Sequence, residues 1–223
     1  MEAIGRDRQE PADNYVTFDP ATLTRVEQYK LLTGAVIPRP IALVTTLGAE
    51  GVNAAPFSFF NAVAAEPPII MFSAGRRSNG IKDTTRNIQD TREFVVHIVD
   101  DAAREKMNIC GIEYDFGVDE VHEAGFRTAP SVRVRPPRLI DCPVQLECRA
   151  IDILTFGHYD MIIGEVVFFH FRADVINERM HTDAVKLNPV GRLSGTGYVS
   201  VTEQINMPRL PVPPGKVAAT IAD

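Results

Sequence analysis

The chain has 223 residues, of which 45% are hydrophobic and 23% charged, with a formal net charge of -6. That is the composition of one ordinary globular domain, and an acidic balance with no basic run argues against a nucleic-acid partner while leaving room for a local site that binds a small anion. No apolar run approaches the roughly 20 residues of a membrane span, the polar start "MEAIGRDRQEPADNY" lacks the apolar centre of a secretory signal, and the three cysteines, Cys110, Cys142 and Cys148, form no CxxC pair. A cytoplasmic chain with buried free thiols and no structural zinc is expected.

Residues 1–18 read as a loose arm. Asp19 to Leu32 reads as a short helix capped by Thr22, with Leu23, Val26, Tyr29 and Leu32 recurring at helical spacing. Pro38 and Pro40 force extended backbone. Ile41 to Leu47 reads as a strand, "GAEG" as a turn and Val52 to Pro56 as the returning strand. A third strand, Ile69 to Ser73, follows Pro67-Pro68. Lys82 to Asp90 reads as a helix with Asp83 or Thr84 as its N-cap. Phe94 to Val99 is a strand, and Asp101 to Asn108 and Val118 to Ala124 are short helices. The second half is strand-rich. In Val144 to Ala150 the apolar Val144, Leu146, Cys148 and Ala150 alternate with Gln145, Glu147 and Arg149, as in a wall with one wet side. "TFGHYD" connects this strand to a long one, Met161 to Phe171. From Lys186 the chain is expected to be loop, lying over a site, and residues 201–223 form a Pro-rich tail. Short strands with few helices predict a mainly β fold, a β-barrel with peripheral short helices spanning 19–200. Neither GxGxxG nor GxxxxGK[ST] occurs, so the common nucleotide-binding loops are absent.

Two stretches carry chemistry. In "GVNAAPFSFFN" the alternation breaks, Pro56 lacks a ladder donor, and small residues mix with Asn53, Ser58 and Asn61. Either this is a bulge with Asn as turn former, or it holds a flat cofactor whose faces want apolar contact and whose edge wants donors and acceptors. In "SAGRRSNGIKDTTRN" a strand ends at Ser73, and Arg76, Arg77 and Lys82 lead into a helix with Thr84 in its first turn. Cations at a helix N-terminus suit a phosphate; a solvated basic loop with ordinary capping is the alternative. The remaining histidines show no metal-ligand spacing, and the acidic "EYDFGVDE" does not meet the EF-hand pattern.

Together, "RPIALVTT…GVNAAPFSFFNAVAAEPPIIMFS…KDTTRNI…EFVVHIV", with "IIGEVV" and "GRLSGTGY" further on, resembles the flavin reductase-like, FMN-binding split-barrel family over roughly residues 20–200. The resemblance implies a split β-barrel that binds FMN and takes electrons from NAD(P)H. It implies that Thr45, Thr46, Asn53, Ala55, Ser58, Phe59, Phe60 and Asn61 line the flavin and that Ser73, Lys82, Asp83 and Thr84 hold its phosphate; His158 occupies the family's histidine position after the hairpin and is either a catalytic candidate beside the nicotinamide or the acceptor, or a hairpin histidine bonded to nearby backbone. It further implies a homodimer with the flavin near the interface and a monooxygenase or electron-transfer partner. Ser194 stands where many members have glycine, His97 where many have asparagine, and Tyr159 and Asp160 are not the commonest companions of His158. Three functions follow: an FMN-dependent NAD(P)H oxidoreductase, an FMN electron carrier without its own NAD(P)H site, or a dimeric barrel binding another ligand.

Overall fold

The structure is a computed structural model and describes residues 14–78 and 80–211. Most of the N-terminal arm and the end of the C-terminal tail therefore lie outside the described residues. Among the described residues the α-helices are α1 (Arg25–Ala35), α2 (Asp83–Thr91), α3 (Arg104–Ile109), α4 (Glu120–Glu123) and α5 (Ala184–Leu187). The strands are β1 (Arg39–Pro40), β2 (Ala42–Gly48), β3 (Gly51–Phe57), β4 (Phe60–Ala65), β5 (Pro68–Gly75), β6 (Glu93–Ile98), β7 (Thr128–Ala129), β8 (Arg138–Leu139), β9 (Val144–Phe156), β10 (Tyr159–Phe171), β11 (Val190–Arg192) and β12 (Tyr198–Ser200).

Seven strands form one antiparallel sheet in the order β3-β2-β6-β9-β10-β5-β4. Its two edge strands, β3 and β4, are consecutive in the chain and joined only by Ser58 and Phe59. The sheet therefore curls until its edges meet. Phe57 of β3 packs on Phe72 of β5 with ring centroids 4.9 Å apart, and the Ser73 N–H donates to the Phe59 carbonyl. Pro56 is tolerated because β3 is an edge strand and its missing N–H costs no ladder bond.

Strand β2 shows why the run "IALVTT" is apolar without alternation. Ala42 and Val44 face the barrel interior beside Phe72, Phe94 and Ile162, while Ile41 and Leu43 face a second core with Met107, Val121, Phe126 and Leu139. Both faces are dry, so both are apolar. Gly164 in β10 is required by that interior, since a Cβ there would lie 2.4 Å from Cζ of Phe94.

Several expectations are corrected. Thr24, not Thr22, caps α1, in a capping box with Glu27, while Asp19 caps a separate single turn. The apolar face of α1 is not buried: Val26, Tyr29 and Leu32 are 61%, 49% and 56% exposed, and only Thr33 of this helix is buried. The returning strand read over Val52 to Pro56 is present as β3, and the break in alternation after it is a bend at Ser58 and Phe59 followed by a further strand, β4, that was not expected. The segment after Lys186 contains β11 and β12; Gly195, at φ +58°, lets the chain turn between them. The wall of β9 has no wet side at its start, because residues 127–139 cover it. Gln145 and Glu147 are buried there: Gln145 bonds the Cys142 carbonyl and Arg138, and Glu147 accepts from the N–H groups of Val132 and Arg133 and pairs with His170.

Candidate functional site: a cationic cavity at the start of α2

Strand β5 delivers the chain at Gly75, and the following loop turns back through Arg77 and Gly80 before α2 begins. Lys82 is the N-cap residue, and no side chain caps the first turn. This corrects the expected Asp83 or Thr84 cap. Asp83 instead pairs with Arg86 at 3.2 Å, and the Thr84 hydroxyl donates to Oδ1 of Asn53 at 2.8 Å.

The uncapped helix start opens into a polar cavity of about 330 Å³. Asn53, Ala55 and Pro56 come from β3, Arg77, Lys82 and Thr84 from the β5–α2 segment, Cys110 and Gly111 from beyond α3, Glu120 from α4, and Arg192 and Tyr198 from the β11–β12 hairpin. Five of the sequence-predicted residues thus converge here: Asn53, Ala55, Lys82, Asp83 and Thr84.

A buried network fixes the wall. Glu120 accepts from the Asn53 amide at 2.9 and 3.0 Å and from the Ala54 N–H at 3.0 Å. With its Nδ2 on Glu120, Asn53 turns Oδ1 to Thr84. Thr46 also donates to that oxygen at 3.4 Å and accepts from Asn87 at 3.0 Å. Asn87 reaches Thr46 across Gly48, where a Cβ would lie 2.0 Å from its Oδ1. Burial lifts the Glu120 carboxyl above its usual range, against the pull of the Ala54 and Asn53 donors. Burial and then the Arg77 charge draw the Lys82 ammonium below its own.

The cavity is lined by both signs of charge, Arg77, Lys82 and Arg192 beside Asp83 and Glu120. Among the described residues no carboxylate pairs with Arg77, Lys82 or Arg192. Arg77 gives one nitrogen to the Tyr114 carbonyl at 2.8 Å and lies over Phe116, but its Nε is buried with no acceptor. Three cations without counter-ions, an orphaned guanidinium N–H and an uncapped helix start form a donor set that an anion of phosphate type fits.

The other predicted residues lie apart. Thr45 is buried and donates to the Pro137 carbonyl at 2.8 Å, holding the covering segment rather than facing the cavity. Ser58, Phe59, Ser73 and His158 share a second region: the Phe59 ring stacks on Tyr159 at 5.6 Å, and the His158 carbonyl accepts from Arg76. The His158 side chain is exposed there at the β9–β10 turn. Phe60 and Asn61 line a shallow groove with Ile69, Val166 and Phe169. Arg76, a candidate phosphate cation from sequence, is bound to Asp160 through two nitrogens, at 2.6 and 2.9 Å.

Glu120, Arg192, Tyr198 and Cys110 escaped the sequence reading. Glu120 lies in the acidic "EYDFGVDE", which offers no local sign that one carboxylate turns inward. Arg192 and Tyr198 carry a weak signal, the loop expected to cover a site. Cys110 gives its Sγ to the Glu120 carbonyl, and burial pushes its thiol up to about 12, far from the thiolate range. No cluster of three or more ligating side chains suited to a metal occurs among the described residues.

A curled antiparallel sheet closed at one seam, with a polar cavity where a helix starts, defines a mainly β, split-barrel protein. The flavin reductase like domain matches residues 33–186, and the chain belongs to that family. It is 41% identical over 200 residues to an uncharacterised protein of Halalkalibacterium halodurans, covering 86% of this chain and 95% of the relative. Its fold is similar to that of nitrilotriacetate monooxygenase component B from Bacillus cereus, with TM-score 0.84, 34% identity and coverage of 86% of this chain and 98% of that one. It is also similar to the 2-nitrobenzoate 2-nitroreductase of Pseudomonas fluorescens, with TM-score 0.79, 35% identity and coverage of 92% and 100%. The flavoredoxin of Desulfovibrio vulgaris shares the fold at TM-score 0.68 and 21% identity, over 77% of this chain and 91% of that one.

Proposed function

We propose that this protein is an FMN-dependent oxidoreductase that takes a hydride from NAD(P)H and passes electrons to flavin or a small organic acceptor. The observation that carries the reading is the set of cations without counter-ions at the start of α2, which fits the FMN phosphate. The two relatives at about one-third identity, a nitroreductase and a monooxygenase component, support a small acceptor or an oxygenase partner as the electron sink.

In this reading Lys82, Arg77 and Arg192 neutralise the phosphate, and the first turn of α2 adds its free N–H groups. Asn53, held by Glu120 and Thr84, presents a rigid polar edge. Ala55 is small enough for close approach to the backbone. Ser58, Phe59, Ser73 and His158 form the lip beyond the cavity, where His158 meets the donor. Bound FMN supplies the hydride chemistry; the chain supplies position and charge.

The apolar surface supports a homodimer. Val36 and Ile37 extend the exposed face of α1, and Phe169 and Phe171 of β10 are 50% and 36% exposed. Light scattering should give roughly twice the 24.6 kDa chain mass. A cytoplasmic setting belongs to the same reading; no helix among the described residues is long and apolar enough to cross a membrane.

The test is the visible spectrum of protein saturated with FMN, desalted, then reduced anaerobically with NADH and separately with NADPH. A retained flavin band that bleaches with either donor is expected. A retained band that neither donor bleaches rejects the NAD(P)H step and leaves an electron carrier. No retained band and no saturable FMN fluorescence quenching rejects the flavin site itself.

A further inference from the structure

Opposite charges share the cationic cavity without joining. Asp83 and Glu120 line it with Arg77, and in a confined space with little water such charges attract strongly. Each carboxylate is committed elsewhere. Asp83 pairs with Arg86 at 3.2 Å, and Glu120 is turned onto the Asn53 amide and the Ala54 N–H. Among the described residues the side-chain partners of Arg77 are both neutral. The Tyr114 carbonyl accepts from one terminal nitrogen at 2.8 Å, and the centroid of the Phe116 ring lies 5.2 Å from the guanidinium carbon.

Both partners come from one segment, residues 111–119, which runs from α3 to α4. Gly111 and Ile112 line the cavity at its start. At its far end Asp119 accepts from the His122 N–H and caps α4, the helix that carries Glu120. Between them the chain turns at Gly117, with φ +81°, where a Cβ would lie 3.3 Å from that of Glu50. The turn seats the segment against the β2–β3 connection and brings Phe116 to two cations at once: the guanidinium carbon of Arg86 is 4.5 Å from its centroid, that of Arg77 5.2 Å. A ring attracts a cation through its quadrupole and carries no charge of its own, so it fixes Arg77 without cancelling it. An ion pair would hold the side chain as firmly, but an incoming anion would then have to displace a carboxylate.

We infer that Phe116 is a positioning residue: it holds Arg77 off the carboxylates of the cavity and keeps its guanidinium available to an anion. The inference rests on the function proposed above only for the identity of that anion, the FMN phosphate.

The test pairs FMN affinity with the shielding of Arg77. Phe116→Ala should weaken FMN binding about five-fold or more. Phe116→Trp should restore it, and Phe116→Leu, apolar but without a ring, should not. In an Arg77→Ala background, Phe116→Ala should add less than about twofold, since the side chain it positions is gone. A loss that persists in that background assigns Phe116 to packing of the segment alone and overturns the inference, as does unchanged affinity in Phe116→Ala. The second readout needs no flavin. The Nε–H of Arg77 is buried, and its proton exchange, followed by NMR and assigned by its loss in Arg77→Lys, should quicken at least about ten-fold in Phe116→Ala. Equal exchange in the two proteins overturns the holding of Arg77 whatever FMN does. A wild type that binds no FMN, yet whose Arg77 exchange responds to Phe116→Ala, would sink the function proposed above and leave the positioning intact.

Discussion

Two polar regions of this molecule are built from similar residues and end in opposite conditions. Around β9 the buried side chains of His97, Gln145 and Glu147 are all answered by the chain. His97 bridges Leu43 O and the Leu139 N–H at 2.9 Å each, so Nδ1 donates and Nε2 accepts. Glu147 takes two backbone donors and His170. At the start of α2, Arg77, Lys82 and Arg192 line a cavity together with Asp83 and Glu120, yet form no ion pair with a carboxylate among the described residues. Buried polar groups are costly unless bonded. Where the chain satisfies them, they hold the fold. Where it leaves one open, as at Nε of Arg77, the proposed phosphate would complete it.

The largest expected effect breaks the comparison on its open side. The Arg77→Ala, Lys82→Ala double variant should lose roughly 100-fold in FMN affinity, about 3 kcal/mol, as charge-assisted contacts go. Its thermal midpoint without FMN should stay close to wild type, since neither cation forms an ion pair with a carboxylate among the described residues. Unchanged FMN affinity would falsify the phosphate assignment.

On the closed side, His97→Leu should cost about 3 kcal/mol of stability in urea titration, because a buried N–H and a buried carbonyl lose their partner together. The same ring gives a pH signature. Burial lowers its pKa from 6.5 to about 3, with the bond to Leu43 only partly opposing this. The folded state therefore refuses a proton that the unfolded chain accepts below pH 6.5. The stability His97 contributes is complete above that pH and declines as pH falls from 6.5 towards 3. Between pH 7 and pH 5 this one group should remove about 2 kcal/mol, and the Leu variant should show an acid limb that much shallower.

Smaller still, Gly48→Ala should cost about 1–2 kcal/mol by pushing Asn87 off Thr46. FMN binding should weaken with it, as the network behind Asn53 relaxes. The mildest test is Arg76→Ala. Its charge is spent on Asp160, so FMN affinity should hold within twofold; a loss matching that of the Arg77, Lys82 double variant would erase the distinction between the two regions.

The fold was legible where periodicity is local. The two-sided apolar run of β2, the turn at Gly48 to Gly51 and the length of β10 all follow from neighbouring residues. Strand β4 was missed because "NAVAA" is small and lies on an edge, with none of the bulky alternation that marks a half-buried strand. The wet side expected for β9 was dry because the cover comes from residues 127–139, which sequence spacing cannot bring across. At the site, the Lys82 to Thr84 segment and Asn53 were legible as residue types. That Arg77 rather than Arg76 faces the cavity was not: adjacent arginines differ only in which side of the turn they leave, and Asp160, which claims Arg76, is 84 residues away in sequence.

The corner at Ser58 and Phe59 has a mechanical consequence. It is the one covalent link between strands that sit at opposite ends of a seven-stranded ladder, so the barrel behaves as a coil spring clasped at a single point. Force or thermal motion that parts the two edges stretches the clasp while leaving the ladder bonds from β2 to β5 in place. Amide exchange along the facing edges of β3 and β4 should accordingly outrun that of β6 and β9, and filling the cavity beside β3 should slow the β3 edge first.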